Sequence, residues 1–577
     1  MKSNSKNTER KRRAASGEAQ STDAIKTKQL LFAVSSFAAR GMKDTEEQQI
    51  EEVKALIAAG ADVNATDKHG NTILMLATAN MTNPALIKTL VEAGADVSAK
   101  GPIDMTAFLV SIINDNPAVI SALAEMGADV NAKTDEDKSA LILAAANNPR
   151  TDVFKALIDA GVDVNAADNK GWTPLIVIAS ESADLELIKL LLDAGSDVNA
   201  KNIYGWNSLM YAVEKPDINP SVVKLLLDAG TDPNTKDVDG SSALVIAVDH
   251  AENPNLIKLL AQAGADINVK TRNGESVLYD AVYFDKSTPI IKALIDAGAD
   301  VNQRSTTGYT PFNIAVLSSE DPALTKAFID AGADVNAKDK TGNTPLIVAA
   351  AYNKNPEVIK ILLDAGSDVN AEDYDSWMPL TVAISENPNL DIIRLLIDAG
   401  ANVNAQDNNG ETPIMYAFKN TPDPKIVKLL LDAGADVKYR APTGWTVLTC
   451  AVAKNQDTDV IKLLIDAGAD LEGQNIYGFT ALAIAASKGK NNVVKLLLDR
   501  GADVSATDYL GCTVLMIAAE KSPRLSVFQT LLAAGADVNA KNIQGNTAAD
   551  YLAYNKKLQK LASYPKLCEQ LTPTVTE

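Results

Sequence analysis

Residues 333–366 read ADVNAKDKTGNTPLIVAAAYNKNPEVIKILLDAG, and the order of turns, caps and apolar runs in this stretch decides the fold. Asp339-Lys340-Thr341-Gly342 has the composition of a tight turn between two short extended arms. Thr344-Pro345 then predicts a helix start, with Thr as N-cap and Pro at the first helical position, where its missing N–H costs nothing. Leu346, Ile347, Val348 and Ala349 open the apolar face of that helix. Asn355-Pro356 repeats the device and starts a second helix, Glu357 to Ala365, which offers Val358, Ile359, Ile361, Leu362 and Leu363 for packing. Gly366 ends it as the residue that enters the left-handed region at little cost. The unit is hairpin turn, helix, turn, helix.

Working outward, Gly366 is one of fifteen glycines in a recurring Ala-Gly-Ala-Asp-Val-Asn-Ala string, running from Gly60 to Gly535. Of the fourteen intervals, eleven are 34 residues, two are 33 and one is 35. A fixed period in this range predicts a stacked array. It overrides the roughly four independent domains that the length would suggest at about 150 residues each. From first-helix leucine to terminal glycine the distance is 20 residues for Leu346 to Gly366, 19 for Leu482 to Gly501 and 21 for Leu209 to Gly230. The variation is therefore expected in the turn between the two helices, since loops absorb insertions and packed helices do not.

Asp-x-x-Gly-x-Thr-Pro-Leu, an Ala-rich apolar helix, then Ile-Val-Lys-Leu-Leu-Leu-Asp-Ala-Gly-Ala-Asp-Val-Asn-Ala closely resembles the ankyrin repeat, over about residues 29–552. The resemblance implies an all-α solenoid with short β-hairpin turns, built as a single elongated curved stack of about 150 Å at roughly 10 Å per unit. The expected division is a disordered basic leader 1–28, an N-terminal capping repeat 29–60, fourteen repeats over 61–535, a C-terminal capping repeat 536–571 and a tail 572–577. Two features depart from the family. Its usual spacing is 33, whereas most units here carry one more residue between the helices. The histidine of its Thr-Pro-Leu-His motif is replaced by Ile176, Met210, Ile347 and Thr381 in representative units, so the array is expected to lean on apolar stacking.

Charge narrows the partner class. The chain carries 54 Lys and Arg against 74 Asp and Glu. Its leader is +5, through residues such as Arg10-Lys11-Arg12-Arg13, and the remainder is −25. An acidic array disfavours nucleic acid and anionic lipid as partners. Much of the acidity belongs to the frame, because Asp stands two residues after the marker glycine in fourteen of fifteen units. Six residues before that glycine stands Lys or Arg in thirteen units, and two before it stands Asp or Glu in twelve. These should pair at i, i+4 on a solvated helix face. No apolar run approaches a membrane span, no signal peptide is evident, and three cysteines without Cys-x-x-Cys fit a reducing compartment. The expected location is cytoplasmic and the expected state a monomer.

No catalytic, cofactor or metal constellation emerges. His69 and His250 lie about five units apart, so neither zinc nor a Ser-His-Asp arrangement can be assembled from them. Ser487-Lys488-Gly489-Lys490 lacks the first glycine and following Ser/Thr of a phosphate-cradling loop. The acidic strings at 134–137 and 372–375 lack the twelve-residue loop of a calcium site and read as hairpin tips. Cys450 and Cys568 read as packing residues, and Cys512 as an exposed thiol at a tip.

In the resembled family partners bind the concave surface made by hairpin tips and first helices. The residue after the tip glycine, or after Ser376 in its place, includes Trp172, Trp206, Tyr309, Trp377, Trp445 and Phe479, and these four Trp are all the protein has. Tyr204, Tyr374, Tyr477 and Tyr509 add aromatics at adjacent tip positions. Aromatics of this kind supply much of the energy at interface hot spots. The ten residues are the expected contacts for a protein or peptide partner of a non-catalytic scaffold. A secreted or host-directed effector acting by binding, and a mechanical spacer, are the alternative readings.

Overall fold

The computed structural model describes residues 23–35, 46–80, 84–419, 423–454, 457–560 and 563–571. The basic cluster at 10–13 and the tail 572–577 lie outside them. The chain divides into two compact units, Met1–Val277 with Pro289–Ala299, and Leu278–Thr288 with Asp300–Glu577. Each is an all-α solenoid of paired helices. No helix among the described residues is long and apolar enough to cross a membrane.

The repeat at 333–366 folds as its sequence dictates. Thr344 is extended (φ −85°, ψ 163°) and its hydroxyl accepts from the Ile347 amide at the start of the helix Pro345–Tyr352. Asn355 caps Pro356–Asp364 by accepting from the Glu357 amide, and Gly366 sits at φ +89°. The first helix buries every residue from Pro345 to Ala351, whereas the second buries only Val358, Ile359 and Leu362. The asymmetry follows from position. Pro345–Tyr352 packs against the next first helix, Pro379–Glu386, and against its own second helix, which keeps one face in solvent. The hairpin arms shrink to isolated bridges such as Lys236 with Ser242 and Arg440 with Thr446.

The second helix spans nine residues in the 35-, 34- and 33-residue units alike (Pro220–Asp228, Pro356–Asp364 and Asn491–Asp499), so the length differences fall before it. The added turn residues bind the preceding repeat. Asn353 Nδ2 donates to the carbonyls of Val316 and Ser319 (3.0 and 2.9 Å), and Asn387 Nδ2 to that of Asn353 (2.7 Å). In the shortened unit Lys490 Nζ reaches the Val452 carbonyl at 2.7 Å, and burial beside Lys488 lowers its pKa to about 8.

A polar ladder accompanies the apolar stacking. Asn336 Nδ2 donates to the Gly366 carbonyl (3.2 Å) while its Oδ1 accepts from the Asp368 amide (2.8 Å). Asn165 makes the same two bonds to Gly195 and Asp197. The residue two ahead, Asp in most repeats, holds the rung in place, as when Asp334 Oδ1 accepts from the Asn336 amide at 2.9 Å. The Asp-Val-Asn string is thus a connector between repeats, and the reliance on apolar stacking expected from the missing histidine is only part of the frame. Of the outer-face ion pairs, Lys224–Asp228 (3.0 Å) and Lys428–Asp432 (2.9 Å) form at i, i+4, while Lys462 turns to Asp459.

One boundary differs from the sequence reading. Residues 23–28, assigned there to the leader, belong to a helix over 23–35 that buries Leu30, Ala33 and Val34. This helix caps the neighbouring repeat: Lys26 Nζ donates to the Ala59 carbonyl and Thr27 Oγ1 accepts from the Asp62 amide (3.0 Å). At the other end, Ala548–Leu552 packs on Tyr564–Leu571, whose Leu567 and Leu571 are buried.

Candidate functional site

Each hairpin tip is held by the acid or amide that opens it. Asp339 Oδ1 accepts from the amides of Thr341 (2.8 Å) and Asn343 (2.9 Å), which fixes the direction of the side chain after the glycine. Successive tips stack through backbone bonds, the Tyr374 amide donating to the Thr341 carbonyl at 3.2 Å. Gly342, at φ +88°, has no room for a side chain, since a Cβ would stand 2.8 Å from the Tyr374 nitrogen. Asp373, in the acidic string at 372–375, performs the same stapling: its Oδ1 accepts from the amides of Asp375 (2.9 Å) and Trp377 (2.7 Å).

The tip aromatics separate into two classes. Trp172, Trp206, Tyr309, Trp377, Trp445 and Phe479 are half-buried, whereas Tyr204, Tyr374, Tyr477 and Tyr509 are 51–69% exposed. Three of the tryptophans have a packing partner that the sequence reading missed, a tyrosine nine residues after a tip Asp or Asn. The Tyr211 ring lies 5.0 Å from Trp172 and 4.8 Å from Trp206. Its hydroxyl accepts from Asn202 Nδ2 (2.8 Å), and Trp206 Nε1 donates to Asp237 Oδ2 (3.1 Å). Trp377 meets Tyr416 at 4.9 Å and also packs on Ile347, Ala351, Ala371 and Val382. Each of these indoles therefore has a packing contact within the frame. Cys512 is a correction of the same kind: it is buried, not exposed, and accepts from Asn542 Nδ2 at 3.4 Å beside Tyr551.

Among the described residues of 300–577, two of the cavities are each bordered by several of these aromatics. One, of about 570 Å³, is bordered by Ile476, Tyr477, Phe479, Tyr509, Leu510 and Tyr551. The other, of about 460 Å³, lies among Tyr309, Tyr352, Trp377, Asp373, Asp375 and Glu386, with Val348 and Val382 among its apolar lining. The sequence reading placed Tyr309 and Trp377 here but missed Tyr352 and Glu386. The available signal was charge, because Glu386 stands where other repeats carry Lys454, Lys488 and Lys521.

Electrostatics distinguish neighbouring tips. Asp373 is raised above the usual carboxylate range by burial, with the charges of Asp375 and Asp339 adding to it. The Tyr309 phenol is raised as well, first by burial and then by Asp339. Asp407 is lowered: burial pushes it up, but the Tyr416 hydroxyl at 2.6 Å and the amides of Glu411 and Asn409 outweigh that. Tyr416 is correspondingly raised by burial and by its bond to Asp407. Lys419 stands 3.8 Å from the centre of the Tyr416 ring and pairs with Glu411.

A family model described as ankyrin repeats (3 copies) matches residues 79–168, 105–202, 141–237, 209–305, 278–373, 348–441, 414–508 and 448–542. The protein YahD of Escherichia coli (strain K12), whose name describes it as an ankyrin repeat protein, is 33% identical over 70 residues. That stretch is 12% of this chain and 34% of the relative, so the chain spans about a third of the length of the protein it matches.

Proposed function

Since the chain belongs to the ankyrin repeat family, we propose that it is a non-catalytic scaffold that binds a protein or peptide partner across its hairpin tips and first helices. The observation that carries this reading is the roughly 570 Å³ groove in which Tyr477, Tyr509 and Leu510, each more than half exposed, stand over half-buried Phe479. Side chains of this type gain from burial against a partner. Tyr204 and Tyr374, 51% and 69% exposed, extend the candidate contact set, while Trp172 and Trp206, packed on Tyr211, contribute mainly by holding the tips. The net charge of −25 outside the leader favours protein over nucleic acid.

Replacing Tyr477, Tyr509 and Leu510 together by Ser tests the reading. The variant should retain its helical circular dichroism and lose at least tenfold in the recovery of partners that wild type captures. Unchanged recovery would exclude this face as the contact.

A further inference from the structure

We propose that the pocket between Tyr309, Tyr352 and Trp377 receives the alkylammonium group of a lysine side chain, unmodified or methylated, presented by a bound polypeptide. The inference rests on the scaffold reading and names the chemistry of one of its contacts. Three aromatic rings and three carboxylates, Asp373, Asp375 and Glu386, line the pocket, and no Lys, Arg or His is among its lining residues. Aromatic faces attract organic cations through their quadrupole, most strongly where water is excluded. The carboxylates complete the charge complement. A divalent metal is the poorer occupant: it needs converging oxygens, and among the described residues no group of three or more His, Cys, Asp or Glu is placed to hold one.

The same structural unit contains two aromatic sites that the chain fills with its own lysines. Lys419 Nζ stands 3.8 Å from the Tyr416 ring centre and Lys521 Nζ 5.2 Å from that of Phe479. Ser385 occupies the repeat position of Lys419, and Glu386 that of Lys521. The lysine that covers a ring in those two repeats is thus absent here, with a hydroxyl at one of its positions and an acid at the other. Burial and the neighbouring carboxylates raise Asp373, the strain that an incoming cation would relieve.

The test labels the full chain with 5-fluorotryptophan, giving four fluorine resonances, with that of Trp377 assigned through Trp377→Phe. Three short blocked peptides are titrated, identical except for a central lysine, trimethyllysine or norleucine. The lysine or trimethyllysine peptide should shift the Trp377 resonance saturably and bind at least tenfold more tightly than the norleucine peptide. Comparison of those two arms identifies the preferred state of the amine. Ser385→Lys, which supplies an internal ammonium as Lys419 does, should weaken binding at least tenfold, and Glu386→Lys serves if that variant fails to fold. Equal binding of the norleucine peptide, a silent Trp377, or full affinity in a folded Ser385→Lys chain would overturn the proposal. Partner capture through the Tyr477 groove would survive each of these outcomes, so the scaffold reading stands or falls separately.

Discussion

Asp373 and Asp407 hold the same place in successive hairpin tips and make the same backbone bonds, yet one carboxyl is raised and the other lowered. The difference lies further along each first helix. Nine residues after Asp407 comes Tyr416, which fills the space beneath the tip and donates to the carboxylate, and Lys419 then covers the ring. The corresponding residues after Asp373 are Val382 and Ser385, which leave a pocket with carboxylates facing it. A tip aromatic is therefore not a binding residue by itself. Its availability depends on whether the following helix supplies a ring and an amine to occupy it.

The largest effect should come from emptying the filled site. Tyr416 is 5% exposed, and Tyr416→Ala should lower the local opening free energy of the 407–418 segment by about 3–5 kcal/mol, read by hydrogen exchange. Val382→Ala removes two methyl groups and should cost about 2 kcal/mol at the equivalent place. Equal losses would mean that Tyr416 does not fill its tip in the way its bond to Asp407 implies.

The carboxylates themselves give a smaller and oppositely signed pair. Asp407→Asn keeps the tip bonds, as Asn202 does beside Tyr211, but reverses the tyrosine bond, the amide donating to the phenol where the carboxylate accepted from it, and should cost about 1 kcal/mol near neutral pH. Asp373→Asn removes a charge disfavoured by burial and by Asp375, and should be neutral or slightly stabilising. The pH dependence follows from the shifts. Asp407, lowered in the fold, contributes fully above its unfolded pKa, and that contribution is lost as pH falls through the folded value. Asp373, raised in the fold, imposes its full penalty above the folded pKa, and acidification through that value relieves it. Carbon-13 titration of the two carboxyls should place Asp407 below Asp373, and the reverse order would break the comparison.

The repeat was legible in the sequence because its devices are local. Thr344-Pro345, Asn355-Pro356 and Gly366 act within one turn of chain, and each took the expected conformation. The pocket was only half legible. Trp377 and Tyr309 announce themselves by following a tip turn, but what covers a tip is decided by the next repeat. Tyr416 reaches back to Trp377, and Tyr551 to Cys512, which is why a thiol read as exposed is buried. The Asn336 ladder was hidden differently: its asparagine is so regular that it read as frame, and only the bond to Gly366 shows what the frame does. At the N-terminus, polar residues Lys26 and Thr27 gave no apolar signal of helix because their work is to cap backbone groups of the adjoining repeat.

A variant of modest effect on stability carries the sharpest test of occupancy. Lys419 and Glu411 keep 29% and 26% of their side-chain surface exposed, so their pairing is partly solvated. Lys419→Ala should cost about 1 kcal/mol, the ion pair and the ring contact together. If the two sites differ because one is already occupied by an amine, this variant should gain a second binding event for the lysine or trimethyllysine peptide. The first event would continue to move Trp377 and would retain its affinity. Glu411 and the Tyr416 ring would then be free to receive the cation that Lys419 now supplies. A variant that still binds one equivalent would show that the shape beneath the tip, set by Tyr416 in place of Val382, separates the sites, and that Lys419 merely rests on a site closed by other means.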